Sequence, residues 1–178
     1  MRTAYIGMGG NLASWAGEPA ATLAAAVLRL DSLGRVVRRS SLYSTEPVGF
    51  AEQPRFVNAV IALETELEPR ELLTRLLAIE LEFGRDRAAS FANGPRSLDL
   101  DILLFGDLET CEPDLDIPHP RLAERAFVLF PLCEIAPQVF VPGCEKTVET
   151  LLAILVKDSR GESDAVVRME RAVWPGTR

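Results

Sequence analysis

Hydrophobic residues recur along this chain at two spacings, every second residue or every third and fourth, and these spacings distinguish strands from helices. The clearest alternation covers residues 56–67, and the clearest helical pattern, rich in leucine, follows it and ends at Gly84. In chain order, the patterns predict strand 3–8, helix 19–30, strand 36–45, strand 56–67, helix 68–84, strand 98–105, and helices 125–135 and 148–156.

This order of elements predicts an α+β fold. Two strand–helix–strand units in succession form a ferredoxin-like βαββαβ core, in which helices flank an antiparallel sheet in a three-layer α-β-α arrangement. Glycine and proline predict loops at 46–54 and 85–95 and a rigid connector at 117–120. We expect a single domain over residues 1–156, followed by a more polar C-terminal tail, 157–178, without an assigned role.

Length and composition fit one globular domain, with 178 residues, of which 48% are hydrophobic and 25% charged. No apolar run has the length of a membrane span, and the first residues lack the pattern of a secretion signal. Three scattered cysteines without a C-x-x-C pair are typical of reduced thiols. We therefore expect a cytoplasmic protein that binds no membrane, and we expect it to be a monomer.

The net charge of −7 argues against binding to a nucleic-acid backbone, which requires a basic surface. It does not exclude an anionic small molecule such as ATP, because a local cluster of arginines can oppose the overall charge.

Two aspartates on the strand 98–105 are the first candidates for chemistry. Asp99 and Asp101 share one face of the strand, with their Cα atoms roughly 7 Å apart from the rise per residue. Such carboxylates can converge on Mg²⁺, which proteins hold with one or two carboxylates and substrate phosphates. The alternative is an ordinary strand with its polar face in water. Against it, Leu103 and Leu104 indicate that both faces enter the interior, where unpaired acids are costly.

Five arginines precede or follow this strand, namely Arg85, Arg87, Arg96, Arg121 and Arg125. Each one could be a solvated loop charge, but a guanidinium also matches the oxygens of a phosphate group. Phosphoryl transfer depends on positioning and on neutralising the charge of the moving group. Arginines and paired acids together therefore indicate phosphate chemistry.

His119 is the only histidine of the chain. It could form a local hydrogen bond beside its flanking prolines, or it could contact a phosphate. Partner ligands for a zinc site are missing from the sequence. The motif G-x-x-x-x-G-K-[ST] is also missing, which excludes a P-loop kinase, and the protein-kinase motifs do not occur either.

Four stretches of sequence together resemble the hydroxymethyldihydropterin pyrophosphokinase family. They are YIGMGGNL at 5–12, YSTEPVG at 43–49 with QPRFVN at 53–58, GPRSLDLDI at 94–102, and PHPR at 118–121 with RAF at 125–127 and PLCEIAP at 131–137. The third stretch is highly specific for the family, and the resemblance covers about residues 3–156.

The resemblance implies a transferase, a kinase that moves pyrophosphate from ATP to 6-hydroxymethyl-7,8-dihydropterin in folate biosynthesis and yields AMP and the pterin diphosphate. It implies two Mg²⁺ ions on Asp99 and Asp101, with Arg85 and Arg96 steadying the transferred group. The substrates are small molecules, so no nucleic acid or membrane is expected as a partner.

The same resemblance implies the residues of two binding sites. The ATP site would consist of Glu80, Arg87, Arg96, Ile102, His119 and Arg125, and the pterin site of Thr45, Val48, Phe56, Asn58 and Phe127. The pterin would stack between the rings of Phe56 and Phe127, which would otherwise be interpreted as core residues. Asn93, Asp114 and Asp116 depart from the family pattern at positions where contacts to ATP are common.

Two other classes of protein remain as alternatives. A non-catalytic ferredoxin-like module that senses a nucleotide or an amino acid would bind ATP without producing AMP. An RNA-binding α+β domain would need exposed aromatic residues on its sheet and a basic surface, and the acidic balance argues against it.

Overall fold

A computed structural model of the chain describes residues 1–47, 52–85, 94–158, 166–169 and 174. Its helices are α1 (Pro19–Leu30), α2 (Pro69–Glu82), α3 (Ala126–Ile135) and α4 (Val148–Asp158). Its strands are β1 (Arg2–Gly10), β2 (Arg35–Arg39), β3 (Tyr43–Thr45), β4 (Phe56–Thr65), β5 (Asp99–Phe105), β6 (Thr110–Glu112), β7 (Leu115–Ile117), β8 (Phe140–Val141), β9 (Lys146–Thr147) and β10 (Val166–Arg168).

The central sheet is antiparallel and has the strand order β10-β3-β4-β1-β5, with β2 also paired to β4. Within this sheet, β1, β4, β5 and the β2–β3 segment form the predicted ferredoxin-like core with α1 and α2 as its crossover helices. The prediction of an α+β fold is therefore confirmed.

The predicted single strand 36–45 is wrong in one respect, because it consists of two strands that both pair with β4. The interruption begins at Ser40, whose backbone N–H donates to the Val60 carbonyl at 2.9 Å. The Ser40 hydroxyl also accepts a bond from the Val60 N–H at 3.0 Å. A side-chain oxygen thus replaces a backbone acceptor, and the regular ladder stops there.

Two hydrophobic cores lie on opposite faces of the sheet. Helices α1 and α2 cover one face, where Ile6 packs with Leu23 and Leu76. Helices α3 and α4 contribute to the core on the other face, where Val60 packs with Leu129. The sheet is thus the middle layer of three, and β4 and β5 are mostly buried on both faces, whereas β2 is largely exposed.

A bulge in β5 changes one expectation about its faces. The register between β1 and β5 shifts so that Tyr5 faces Leu104 and Ile6 faces Ile102, which leaves Leu103 as the extra residue. Leu103 and Leu104 consequently both belong to the core beneath α3. The interpretation that they enter the interior on opposite faces was wrong, although both are buried.

The described part of the C-terminal segment 157–178 belongs to the fold. Helix α4 ends at Asp158, and β10 adds a strand at the edge of the sheet beside β3. Trp174 is buried in the core on the α1–α2 face. Among the described residues, no helix combines the length and the apolar character that a membrane crossing demands.

Candidate active site

The two predicted acids, Asp99 and Asp101, pair with two glycines of β1, a strand that lies between β4 and β5 in the sheet. Gly9 of β1 pairs with Asp99 on one side and with Asn58 on the other, so these three residues form one row across the sheet. The next row contains Asp101 and Gly7 in the same way. Because paired residues face the same side, Asp99, Asp101 and Asn58 share the face that α3 covers. The glycines carry no side chain of their own, so the Asn58 amide lies over Gly9 and the Leu103 side chain lies over Gly7.

Arg85 and Arg96 hold Asp99 from two sides. Arg96 Nη2 lies 2.9 Å from Asp99 Oδ2, and Arg85 Nη1 forms an ion pair with Asp99 Oδ1. Arg85 Nη1 also donates to the Leu98 carbonyl at 3.2 Å. Burial opposes the charge of Arg85, but the neighbouring carboxylates outweigh it and raise the pKa of its guanidinium. The structure thus brings together three of the four residues predicted to act in catalysis.

Asp101, the fourth, has a different environment. No hydrogen bond or ion pair joins its carboxylate to another residue of the described part of the chain. Burial, and then the charge of Asp99, raise the pKa of Asp101 to about 6, although Arg125 acts in the opposite direction. A carboxylate in this position is stabilised by any cation that reaches it.

Glu80 lies beneath the site and is 1% exposed. One of its oxygens, Oε1, accepts from Arg85 Nη1 and from the backbone N–H of Leu100, both at 2.8 Å. It therefore fixes Arg85 against the start of β5. Its predicted contact with ATP stays a prediction, and so does that of Ile102, which is 5% exposed and belongs to the core on the α1–α2 face.

His119 follows the strand pair and lies beside the basic residues. Its backbone N–H donates to the Leu103 carbonyl at 2.9 Å, which ties it to β5. Its Nδ1 accepts from the Arg121 N–H at 3.1 Å, so the neutral ring carries its proton on Nε2, where it can donate. Burial, and then Arg125, lower the pKa of His119, which favours that neutral form. Burial and the charge of Arg121 also lower the pKa of Arg125.

The two phenylalanines predicted to sandwich a pterin each have an arginine over the ring. The guanidinium carbon of Arg96 lies 4.9 Å from the centre of the Phe56 ring, and that of Arg125 lies 5.5 Å from the centre of the Phe127 ring. Phe56 is buried and Phe127 is half-buried. The basic residues are therefore in direct contact with the aromatic ones, as a site for a planar molecule bearing phosphate requires.

Thr45 and Asn58, two further predicted pterin residues, are bonded to each other. Asn58 Nδ2 donates to Thr45 Oγ1 at 2.7 Å, and both side chains are buried. Gly9 is required beside them, because a Cβ at this position would lie 2.5 Å from Asn58 Oδ1. This pair presents polar groups at the end of β4 next to Phe56.

Asn11 is a structural residue of the site that the sequence interpretation did not select. Its Nδ2 donates to Gln53 Oε1 and to the Pro54 carbonyl, each at 3.0 Å, and its Oδ1 accepts from the Arg96 N–H at 2.9 Å. Its own N–H donates to the Arg96 carbonyl at 2.9 Å. A signal was available, since a polar residue after two glycines at the end of a strand often anchors a turn.

Two guanidinium nitrogens of the site are available for an anion. Arg85 Nε and Arg96 Nε are buried and have no acceptor among the residues that the structure describes. Buried donors of this kind are costly unless an acceptor binds to them. Within the same residues, no cluster of three or more His, Cys, Asp or Glu side chains could hold a metal ion. A cation at Asp99 and Asp101 would therefore need further ligands from a substrate or from water.

Three of the residues selected from the sequence, Val48, Arg87 and Asn93, lie outside the described residues. Asp114 and Asp116 are exposed on the β6–β7 hairpin, where Asp114 has a positive φ of 62°. The roles implied for Arg87 and Val48 stay predictions.

Comparison with known proteins shows a consistent family relationship. The sequence profile described as 7,8-dihydro-6-hydroxymethylpterin-pyrophosphokinase (HPPK) matches residues 5–137. The 2-amino-4-hydroxy-6-hydroxymethyldihydropteridine pyrophosphokinase of Pseudomonas aeruginosa is 46% identical over 151 residues, which cover 84% of this chain and 90% of the relative. The protein of the same name from Methylorubrum extorquens is 43% identical over 157 residues, or 87% and 94% of the two chains.

Similar solved structures include Plasmodium falciparum HPPK-DHPS. The wild-type protein superimposes with a TM-score of 0.70 at 15% identity over 94% of this chain, and an A437G variant superimposes with a TM-score of 0.73 at 16% identity. The present chain spans about half of those longer chains, 47% and 48% respectively. At this level of identity the likeness supports the fold.

Proposed function

Since the chain belongs to the 7,8-dihydro-6-hydroxymethylpterin-pyrophosphokinase family, we infer that it transfers pyrophosphate from ATP to 6-hydroxymethyl-7,8-dihydropterin, with Asp99, Asp101, Arg85 and Arg96 as its catalytic centre. The hydroxyl oxygen of the pterin attacks the β-phosphorus of ATP, the bond to the α-phosphate oxygen breaks, and AMP leaves. The observation that carries the proposal is the row of Asp99, Gly9 and Asn58 across the sheet. It places an acid proposed for the metal and phosphates on one side of β1 and an amide proposed for the pterin on the other.

Asp99 and Asp101 are the residues that would hold Mg²⁺, and we propose two ions as the resemblance implies. Their oxygens are the donors that Mg²⁺ prefers, and substrate phosphates complete its coordination. Burial and the nearby charge of Asp99 raise the pKa of Asp101. A divalent cation bound to both carboxylates would offset these two effects. When bound, the metal neutralises phosphate charge and favours ionisation of the attacking hydroxyl.

The arginines would act on the transferred group itself. Arg85 and Arg96 each have a buried Nε without a hydrogen-bond acceptor among the described residues. A phosphate oxygen is an acceptor that matches a guanidinium donor. His119, with its proton on Nε2, and Arg125 would bind the remaining phosphates of ATP. Neutral His119 donates one hydrogen bond without adding charge, whereas the arginines compensate the polyanion.

The pterin would lie between Phe56 and Phe127, with its edge bonded to Asn58 and Thr45. An amide can donate to and accept from a pterin edge, and a buried hydroxyl can reorient to match it. Phe56 and Phe127 each contact an arginine through the ring, so stacking and phosphate binding are adjacent. This adjacency suits a substrate that carries its hydroxymethyl group on the ring.

Incubation of the protein with ATP, Mg²⁺ and 6-hydroxymethyl-7,8-dihydropterin, followed by chromatography, tests the proposed function. We expect AMP and the pterin diphosphate in equal amounts. A parallel incubation without pterin controls for hydrolysis and should give little AMP. Binding of ATP without AMP would favour the sensing module instead, and ADP would indicate transfer of a single phosphoryl group.

Removing one ring of the sandwich should weaken pterin binding selectively. Phe127→Ala is expected to raise the pterin Kd about 5- to 150-fold, since stacking on one aromatic face contributes ~1–3 kcal/mol. ATP binding should change little. Calorimetry with each substrate in turn measures both effects, and Phe140→Ala, which truncates an exposed phenylalanine outside the site, is the matched control. Equal pterin affinity in Phe127→Ala and Phe140→Ala would rule out the sandwich.

A methyl group at position 9 should displace the Asn58 amide, which is proposed to bind the edge of the pterin. In Gly9→Ala the new Cβ would lie 2.5 Å from Asn58 Oδ1, so the amide must rotate and its bond to Thr45 is lost. We expect the pterin KM to rise about tenfold, the effect of one or two polar contacts. Gly7→Ala on the same strand face should have a smaller effect, because its Cβ meets only the flexible Leu103 side chain at 3.2 Å. Steady-state kinetics with pterin varied would detect the difference, and an identical KM in both variants would contradict it.

We also propose that the enzyme works in the cytoplasm, as a monomer, on small molecules alone. The three cysteines are free thiols, which suits a reducing compartment. The net charge of −7 disfavours nucleic acid as a partner. We propose that residues 1–156 carry the residues of the pyrophosphokinase site, while the described part of 157–178 belongs to the same fold.

A further inference from the structure

We propose that the C-terminal strap, defined as β10 with Met169 and Trp174, holds β3 in place and thereby determines the affinity for the pterin without taking part in the transfer of pyrophosphate. The strap lies beyond the part of the chain that matches the family profile, which ends at residue 137. The inference rests on the proposed pterin site, because its effect is exerted through Thr45.

The strap covers one edge of a very short strand. β3 has three residues and pairs with β4 on one side and with β10 on the other. In this second pairing, Thr45 lies opposite Val166 and Tyr43 lies opposite Arg168. Without β10, β3 would be an edge strand held by one neighbour, and short edge strands are the least protected parts of a sheet.

Further contacts of the strap reach the residues that precede β3. The Met169 N–H donates to the Leu42 carbonyl at 2.9 Å. Trp174 is 9% exposed, and its Nε1 donates to the Ser40 carbonyl at 2.9 Å. The strap therefore binds the whole segment 40–45, with a buried indole as its anchor at one end. A buried tryptophan removes a large apolar area from water and is the strongest single attachment of the strap.

Arg168 connects the strap to α3 through Glu134. Glu134 accepts from the Ser41 N–H at 2.9 Å and from the Tyr43 hydroxyl at 2.9 Å, and Arg168 Nη2 lies 3.2 Å from its other oxygen. Arg168 Nε also donates to the Ser41 hydroxyl at 2.8 Å. These bonds join Ser41 and β3 to the helix that carries Phe127. Arg168 thus links the strand of Thr45 to the helix of Phe127.

The distance of the strap from the acids limits its effect to one substrate. Thr45 on β3 bonds to Asn58 on β4, and β1 then separates β4 from Asp99 and Asp101 on β5. A displacement of β3 would move the pterin hydrogen bonds directly. The acids and Arg85 are held by β1, β5 and α2, with which β10 does not pair. Of the strap residues, Trp174 shares the core on the α1–α2 face with these elements, and Arg168 does not. We therefore expect pterin affinity to change while transfer and ATP binding persist.

Trp174→Ala in the full-length protein tests the inference. It should raise the pterin KM about tenfold, as a misplaced binding group does, with kcat and the ATP KM within twofold of the unaltered protein. Trp174→Phe, which keeps a ring in the core, should restore most of the pterin affinity. Val167→Ala is the matched control on the same strand, because its side chain is 51% exposed and faces away from Thr45 and Tyr43.

Hydrogen exchange supplies a second readout, independent of catalysis. The amides of residues 43–45 should exchange faster in Trp174→Ala, whereas the amides of β5 keep their protection. If Trp174→Ala does not fold, Arg168→Ala serves in its place, since it removes the bonds to Glu134 and Ser41 and leaves the core intact. A pterin KM equal to that of Val167→Ala would overturn the inference, and so would a fall in kcat with both KM values unchanged. Absence of AMP from the unaltered protein would instead refute the proposed function.

Discussion

Replacing Asp101 by asparagine is expected to reduce turnover by on the order of 100-fold or more, the effect of removing one charged group that stabilises a transition state. Asparagine preserves the shape of the side chain but loses the negative charge that would hold Mg²⁺. Among the described residues Asp101 has no ion pair to lose, so the fold should persist. Because the repulsion with Asp99 is relieved, we expect the melting temperature to rise.

Asp107→Asn is the matched control, because Asp107 is exposed and follows the same strand. Its turnover should equal that of the unaltered protein. Initial rates of AMP formation at saturating ATP and pterin, measured over a range of Mg²⁺ concentrations, separate a weakened metal site from lost chemistry. Turnover in Asp101→Asn within a few-fold of Asp107→Asn would refute the metal role of Asp101.

Replacing Glu80 by alanine is expected to cost about 3 kcal/mol in the free energy of unfolding, at the lower end of the range for breaking a buried ion pair. The change leaves the Leu100 N–H without its acceptor and removes one of the two carboxylates that hold Arg85. Asp99 still pairs with Arg85 and gains from the loss of a like charge, which limits the penalty. Because Arg85 loses its fixed position, turnover should fall as well.

Glu82→Ala provides the comparison within the same helix. Glu82 also pairs with an arginine, Arg29, at 2.9 Å, but both side chains are about half exposed. Exposed pairs of this kind contribute little to stability. Denaturant unfolding of the two variants measures the difference, and similar unfolding midpoints would contradict a structural role for Glu80.

Much of the fold follows from hydrophobic spacing, and its exceptions have local causes. The long strands and the four helices have strong patterns, which predicted them within a few residues. The break at Ser40 depends on one hydroxyl accepting the Val60 N–H, a bond that periodicity does not encode. Strands β6 to β10 have two or three residues each, too few to show an alternation.

The candidate site was predictable to the extent that it depends on strand geometry. The period of two placed Asp99 and Asp101 on one face without knowledge of the neighbouring strands. Their alignment with Gly9 and Asn58 depends on the register of three strands, and the bulge at Leu103 shifts that register. Register results from tertiary packing, which a single sequence does not specify.

Family resemblance selected residues that lie near the site, but it did not predict which of their side chains are buried. Glu80 was selected as an ATP residue, and the structure gives it a buried place that supports Arg85 and β5. Ile102 lies in the core on the face opposite the acids. Both residues are close to the site, but neither exposes its side chain, and burial of this kind depends on how α2 packs against β5.

The amide of Asn11 leaves almost no freedom of substitution at its position. Two acceptors, on Gln53 and Pro54, face its nitrogen, while one donor, the N–H of Arg96, faces its oxygen. Aspartate, nearly identical in volume, would present an anion to the Pro54 carbonyl, and leucine would remove the bonds to Pro54 and to the Arg96 N–H. Glutamine carries the same groups one methylene further out, in a side chain that is 4% exposed. In a library of variants at this codon, asparagine alone should therefore survive selection for growth without added folate.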